Sequence, residues 1–105
     1  MIGRIWTGWT TPQNADAYET LLRTRIFPGI VARAIEGFRR IELLRRDAGE
    51  EVEFVTVMWF DTMAAVRAFA GERFETAVVP EAARAVLKRF DATSKHYEVR
   101  EVREA

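Results

Sequence analysis

The sequence predicts an α+β domain in which helices pack on a four-stranded antiparallel sheet. Three observations predict it. Residues 2–10 and 52–60 are dense in Ile, Val, Phe and Trp, the composition of strands. Residues 38–60 read as two strands around a short turn. Apolar residues at helical spacing follow the first strand and the hairpin. The order is strand, helix, hairpin, helices, strand. That is βαββαβ, the ferredoxin-like split arrangement. Its usual spatial order is 4-1-3-2. The expectation is that strands 1 and 3 are central and parallel to each other, with right-handed crossovers.

Each element has its own residues. "IGRIWTGWT" makes the first strand. Asn14 is placed to cap the first helix, and Asp16 suits the positive end of its dipole. Tyr18, Leu21, Leu22 and Ile26 then follow i, i+3, i+4, i+8 spacing. "FPGI" at 27–30 breaks or bends this helix, with a further turn reaching toward Ile35. Phe38 to Arg46 and Val52 to Phe60 are the hairpin strands, and Asp47–Ala48–Gly49 the turn. Asp61 or Thr62 caps a short helix carrying Val66 and Phe69, which Gly71 ends. Pro80 opens another helix with the stripe Ala83, Val86, Leu87 and Phe90. Ser94 to Val102 closes the fold as a strand.

Composition narrows the function. The chain, 105 residues, is one domain spanning 1–105. Lys plus Arg number 16, as do Asp plus Glu, so the basic excess of a nucleic-acid protein is missing. No cysteine is present, which excludes disulfides and thiolate metal sites and suits the cytoplasm. No apolar run approaches the ~18 residues of a membrane span, and the N-terminus lacks a signal-peptide layout.

The central strands are apolar on both faces. Val52, Phe54, Met58 and Phe60 alternate with Val55, Val57 and Trp59. Helices cover one face only, so the second needs another cover. The expected cover is a second copy of the sheet, giving a twofold dimer.

His96 is the only histidine, and the one side chain whose unperturbed pKa suits chemistry near neutrality. With strands 1 and 3 parallel, Trp6, Trp9, Trp59, Phe60, Phe38, His96 and Tyr97 gather at one end of the sheet. An aromatic-walled site with a few polar groups is the usual form of a small-molecule pocket. The same aromatics also serve as plain core. Two readings of His96 stay open: a group in or at the rim of a pocket, or a hydrogen-bonded structural or interface residue. Alternation puts His96 and Tyr97 on opposite faces, so only one of them sees a given cavity. Ser94 shares the side of His96, but that pair lacks a third group and an oxyanion hole. Arg4 shares a face with Trp6, and a charge on a covered central strand needs a partner. Glu98 on the last strand is the candidate.

The segments "RIWTGWTTPQNADAY", "FVTVMWFDTMAAVRAFAGE" and "HYEV" resemble small bacterial proteins of the antibiotic biosynthesis monooxygenase-like group, in the dimeric α/β-barrel superfamily. The resemblance covers nearly the whole chain. It implies a homodimer forming an α/β barrel. It also implies, as in some members, oxidation of polycyclic aromatic anthrones by molecular oxygen with no metal, flavin or other cofactor. Other members degrade haem with an Asn on the first strand and a Trp and a His on or after the second helix. Here those places hold Thr7 and Gly8, Phe69, and "FETAVVP", which has no His.

The leading expectation is a cofactor-independent monooxygenase-like protein acting on a small aromatic or polyketide-like molecule. His96 is its base or hydrogen-bond group. Arg4 is a polar anchor, and Trp6, Trp9, Trp59 and Tyr97 are substrate-binding walls. The alternatives are a non-catalytic or stress-related homodimer that binds an apolar ligand, and an isomerase or decarboxylase on the same scaffold.

Overall fold

A computed structural model describes residues 1–105. Strand β1 (Ile2–Thr10) leads into a 3-10 turn at Pro12–Asn14 and helix α1 (Ala15–Leu21). Thr11, not Asn14, supplies the cap: its hydroxyl accepts from the Asn14 backbone N–H, and Pro12 occupies the first position. The helix does not break at Pro28. It widens to a π-type turn over Leu22–Ile26, where the Phe27 N–H donates to Leu22 O five residues back, and continues as α2 (Phe27–Ala32). Such a turn absorbs the hydrogen bond that proline cannot make.

β2 (Phe38–Ala48) and β3 (Glu51–Phe60) form the expected hairpin. Its turn is Gly49–Glu50, one residue later than the sequence suggested. Gly49 takes φ +76°, a left-handed value that glycine reaches without strain. Thr62 caps α3 (Met63–Ala70) by accepting from the Ala65 N–H. The helix opened by Pro80 is a single turn, α4 (Glu81–Arg84). Phe90 leaves it for a two-residue strand, β4 (Arg89–Phe90), and the closing strand is β5 (Lys95–Glu98) rather than 94–102. The free edge of β1 draws this segment out of helix. The Lys88 N–H donates to Trp9 O at 2.8 Å, and the Asp91 N–H to Thr7 O at 3.0 Å.

The sheet order is β2-β3-β1-β4, with β5 on the same edge of β1. β4 and β5 together fill the place of the fourth strand. One expectation is overturned: β1 and β3 are antiparallel, pairing Ile2 with Phe60 and Thr10 with Val52. The helical crossover makes β1 and β2 run the same way, and the hairpin reverses the chain once. A strand inserted between them must then oppose both. The aromatic residues therefore do not share one end. Trp9 pairs with Glu53 far from Phe38, Phe60 and Tyr97.

Alternation is as expected on both central strands. Val52, Phe54, Met58 and Phe60 are buried beneath the helices. The core divides into two clusters, one around Tyr18, Leu22 and Phe54, the other around Phe60, Val66 and Phe69. On the opposite face Leu44 and Tyr97 remain 51% and 54% exposed. No helix is long and apolar enough to cross a membrane.

Candidate functional site

Between the two core clusters lies a cleft, floored by the sheet and roofed by the first helix and the segment before α4. Its walls include Leu22 and Ile26 of the π turn, Phe27 of α2, Met58 of β3 and Phe69 of α3. About 60 Å³ is enclosed, room for a few waters, and about 500 Å³ is free when the open mouth is counted. Arg4 is the one charged residue on its wall; no Asp or Glu lines it.

Arg4 is 3% exposed and has no carboxylate partner. Glu98, the partner expected from sequence, pairs across from Ile2 and does not reach it. Instead one terminal nitrogen donates to Phe74 O (2.5 Å) and to Nε2 of His96 (2.9 Å). The other donates to Thr76 O at 3.3 Å. The guanidinium carbon lies 5.5 Å from the Phe69 ring centroid. Burial lowers the Arg4 pKa to about 10, so it stays charged near neutrality. A buried cation held only by neutral acceptors is costly, by several kcal/mol in general. That cost falls when an anion arrives.

His96 pairs with Arg4 across the β1–β5 ladder, which places both on the helix-facing side. Its ring packs edge-on against Phe74, 5.4 Å between centroids. Burial first, then the Arg4 charge, lowers its pKa, against a smaller pull from Glu75. It is therefore neutral at pH 7, with Nε2 accepting and the proton on Nδ1. His96 lines a separate outer groove with Glu75 and Lys95 and meets the main cleft through Arg4.

Trp6 lines the cleft. Its indole lies on Gly8, where a Cβ would come within 2.9 Å of the ring, and its Nε1–H donates to Asp91 O at 2.7 Å. The other three expected walls lie on the opposite face. Trp9 stacks under Arg89, 3.7 Å from guanidinium carbon to ring centroid. Trp59 covers Gly3, donates to Glu42 and carries Arg40. Tyr97 pairs with Gly3. The structure thus brings Arg4, Trp6 and His96 together and leaves Trp9, Trp59 and Tyr97 elsewhere.

Sequence reasoning missed Tyr18, Thr56 and Ser94 as cleft residues. Tyr18 read as one more position of an apolar helical stripe. It is 1% exposed and packs edge-on against Phe54 at 4.9 Å, and burial raises its pKa. None of the side-chain hydrogen bonds in the fold involves its hydroxyl. No hydrogen bond joins Ser94 to His96, and no three His, Cys, Asp or Glu side chains meet to hold a metal ion.

No protein-family model and no curated protein matches the chain. Solved structures do. A protein from Bacillus cereus, described as a candidate antibiotic biosynthesis monooxygenase, superposes with a TM-score of 0.66 at 17% identity, over 99% of this chain and 97% of that one. The Rv0793 protein of Mycobacterium tuberculosis gives 0.55 at 21%, over 99% and 97%. SnoaB, a cofactor-independent oxygenase from Streptomyces nogalater, gives 0.54 at 24%, over 96% and 95%. This chain has their fold. The match runs nearly end to end in each case, so the cleft and the strand carrying Arg4 lie within the shared architecture.

Proposed function

We propose that this chain belongs to the antibiotic biosynthesis monooxygenase-like group and oxidises a small aromatic or polyketide-like molecule in the cleft without a cofactor. One observation carries the reading: a single uncompensated guanidinium set in a mostly apolar wall that holds no other charge. Its likeness in fold to SnoaB supports the same chemistry.

The reaction class balances without a cofactor. A ligand CH2 group and O2 give a carbonyl and water, the ligand supplying all four electrons. The first requirement is loss of a proton beside a carbonyl or phenol, passed to solvent water at the open mouth of the cleft, which leaves negative charge on an oxygen. A buried cation stabilises that charge far better than water does. Arg4 fills this role, and Trp6 and Phe69 provide flat apolar walls. His96 acts as a hydrogen-bond group. Its Nε2 lone pair is occupied by Arg4, so it orients the guanidinium rather than taking the ligand's proton.

Oxygen uptake with anthrone-type substrates tests the reading. Turnover by the wild type that falls at least ~10²-fold in Arg4→Met supports it. Equal rates for wild type and His96→Ala remove the role given to His96. Ligand-induced stabilisation with no product favours the second reading, a non-catalytic binding protein.

The exposed face of the sheet supports a homodimer. Leu44, Val55 and Tyr97 lie on it, opposite the helices. A second copy laid there covers them and closes the α/β barrel. The cysteine-free composition suits a cytoplasmic protein, and we place it there.

A further inference from the structure

The geometry points to a cleft that takes its ligand as an anion, with two ligand oxygens held by the unused donors of Arg4. The ligand class is an aromatic or conjugated body bearing either a carboxylate or the enolate or phenolate of an acidic oxygen compound. This rests on the cleft being the ligand site.

A guanidinium carries five N–H donors. Three are taken, by Phe74 O, His96 and Thr76 O. Nε–H and one hydrogen of the second terminal nitrogen have no protein partner. The Nε is not sealed off, because Thr10 Oγ1 is the one fully buried side-chain polar atom left unpaired. Two N–H groups on one planar fork match two oxygens of a planar anion. The surroundings select for charge as well. No carboxylate lines the cleft to repel an anion or neutralise Arg4. Elsewhere on the cleft wall, Tyr18, Thr56 and Ser94 carry hydroxyls that hydrogen-bond no protein group. They suit further oxygens on the ligand. The groups already bound to Arg4 are two carbonyls and a neutral imidazole, which position it without cancelling its charge.

The experiment compares ligands on the wild-type protein. Calorimetric titrations use 2-naphthoate against 2-naphthalenemethanol, a neutral molecule of similar shape. A third arm follows the ionisation of bound 4-nitrophenol by its absorbance. The expected result is that the charged ligand binds about tenfold tighter or more, or that bound nitrophenol ionises about one pH unit or more lower. A preference confined to naphthoate identifies a carboxylate site; a shift confined to nitrophenol identifies an enolate or phenolate site. Arg4→Met abolishes either effect while retaining the alcohol, and Arg4→Lys, which keeps charge without the fork, recovers only part. The inference is overturned if naphthoate and the alcohol bind equally and the nitrophenol ionisation is unmoved; the cleft reading then survives. If none of the three binds, both fail together.

Discussion

The Arg4 guanidinium donates to Nε2 of His96 across 2.9 Å, tying the first strand to the last. The bond exists only while the imidazole is neutral. Burial and the Arg4 charge hold the His96 pKa below its usual 6.5, with Glu75 opposing. As pH falls, the unfolded chain therefore takes up this proton before the folded one. Stability from this group is complete above about 6.5 and declines as pH drops from there toward the lowered folded value. Thermal melts of wild type and His96→Phe across that window check it. The wild type is expected to lose stability on acidification more steeply than the variant; parallel curves contradict the linkage.

Trp6 and Gly8 are coupled by contact. A methyl at Gly8 would meet the indole at 2.9 Å and Leu87 at 3.1 Å. Gly8→Ala is expected to cost ~1–3 kcal/mol as overpacking. Trp6→Phe costs ~0.5–1.5 kcal/mol through the lost bond to Asp91 O. The double variant should lose less than the sum, since the smaller ring leaves room for the methyl. Denaturant unfolding of the four proteins measures the coupling, and strict additivity would falsify the contact.

Tyr18→Phe separates binding from folding. The hydroxyl has no partner in the fold, so its removal should leave stability within ~0.5 kcal/mol. Affinity for an oxygenated ligand should fall several-fold through a lost hydrogen bond. Thermal melts alone and calorimetry with 2-naphthoate read the two quantities. A large loss of stability means the hydroxyl is structural.

Self-association through the bare sheet face is expected to give twice the chain mass at micromolar concentration by analytical ultracentrifugation. Leu44→Glu, with a charge on that face, should yield monomers that keep their secondary structure. A monomeric wild type contradicts the dimer.

Most of the fold was legible because alternation and helical spacing are local. The hairpin, a helix cap at Asp61 or Thr62 and the two-sided character of Val52–Phe60 follow from neighbouring residues alone. Strand direction is not local. Reading β1 and β3 as parallel put Trp9 at the wrong end of the sheet, whereas Trp59 and Tyr97 flank Gly3 together and miss the cleft because they face away from the helices. The short α4 was lost to competition from the edge of β1, which no periodicity in 80–90 records. At the site, Arg4 stood out because a charge on a covered strand demands an explanation. Its partners did not, because two are backbone carbonyls from a segment with no regular structure. Tyr18 was hidden in plain apolar spacing, since a hydroxyl's lack of a partner is visible only in three dimensions.

The central claim is that the free donors of Arg4 receive the ligand. Its Nε–H resonance, assigned by its absence in Arg4→Lys, reports on this directly. During titration with 2-naphthoate the account predicts that this signal shifts and becomes protected from exchange, together with amides of β1 and the π turn. A bound ligand that leaves the Arg4 Nε–H signal unmoved contradicts it.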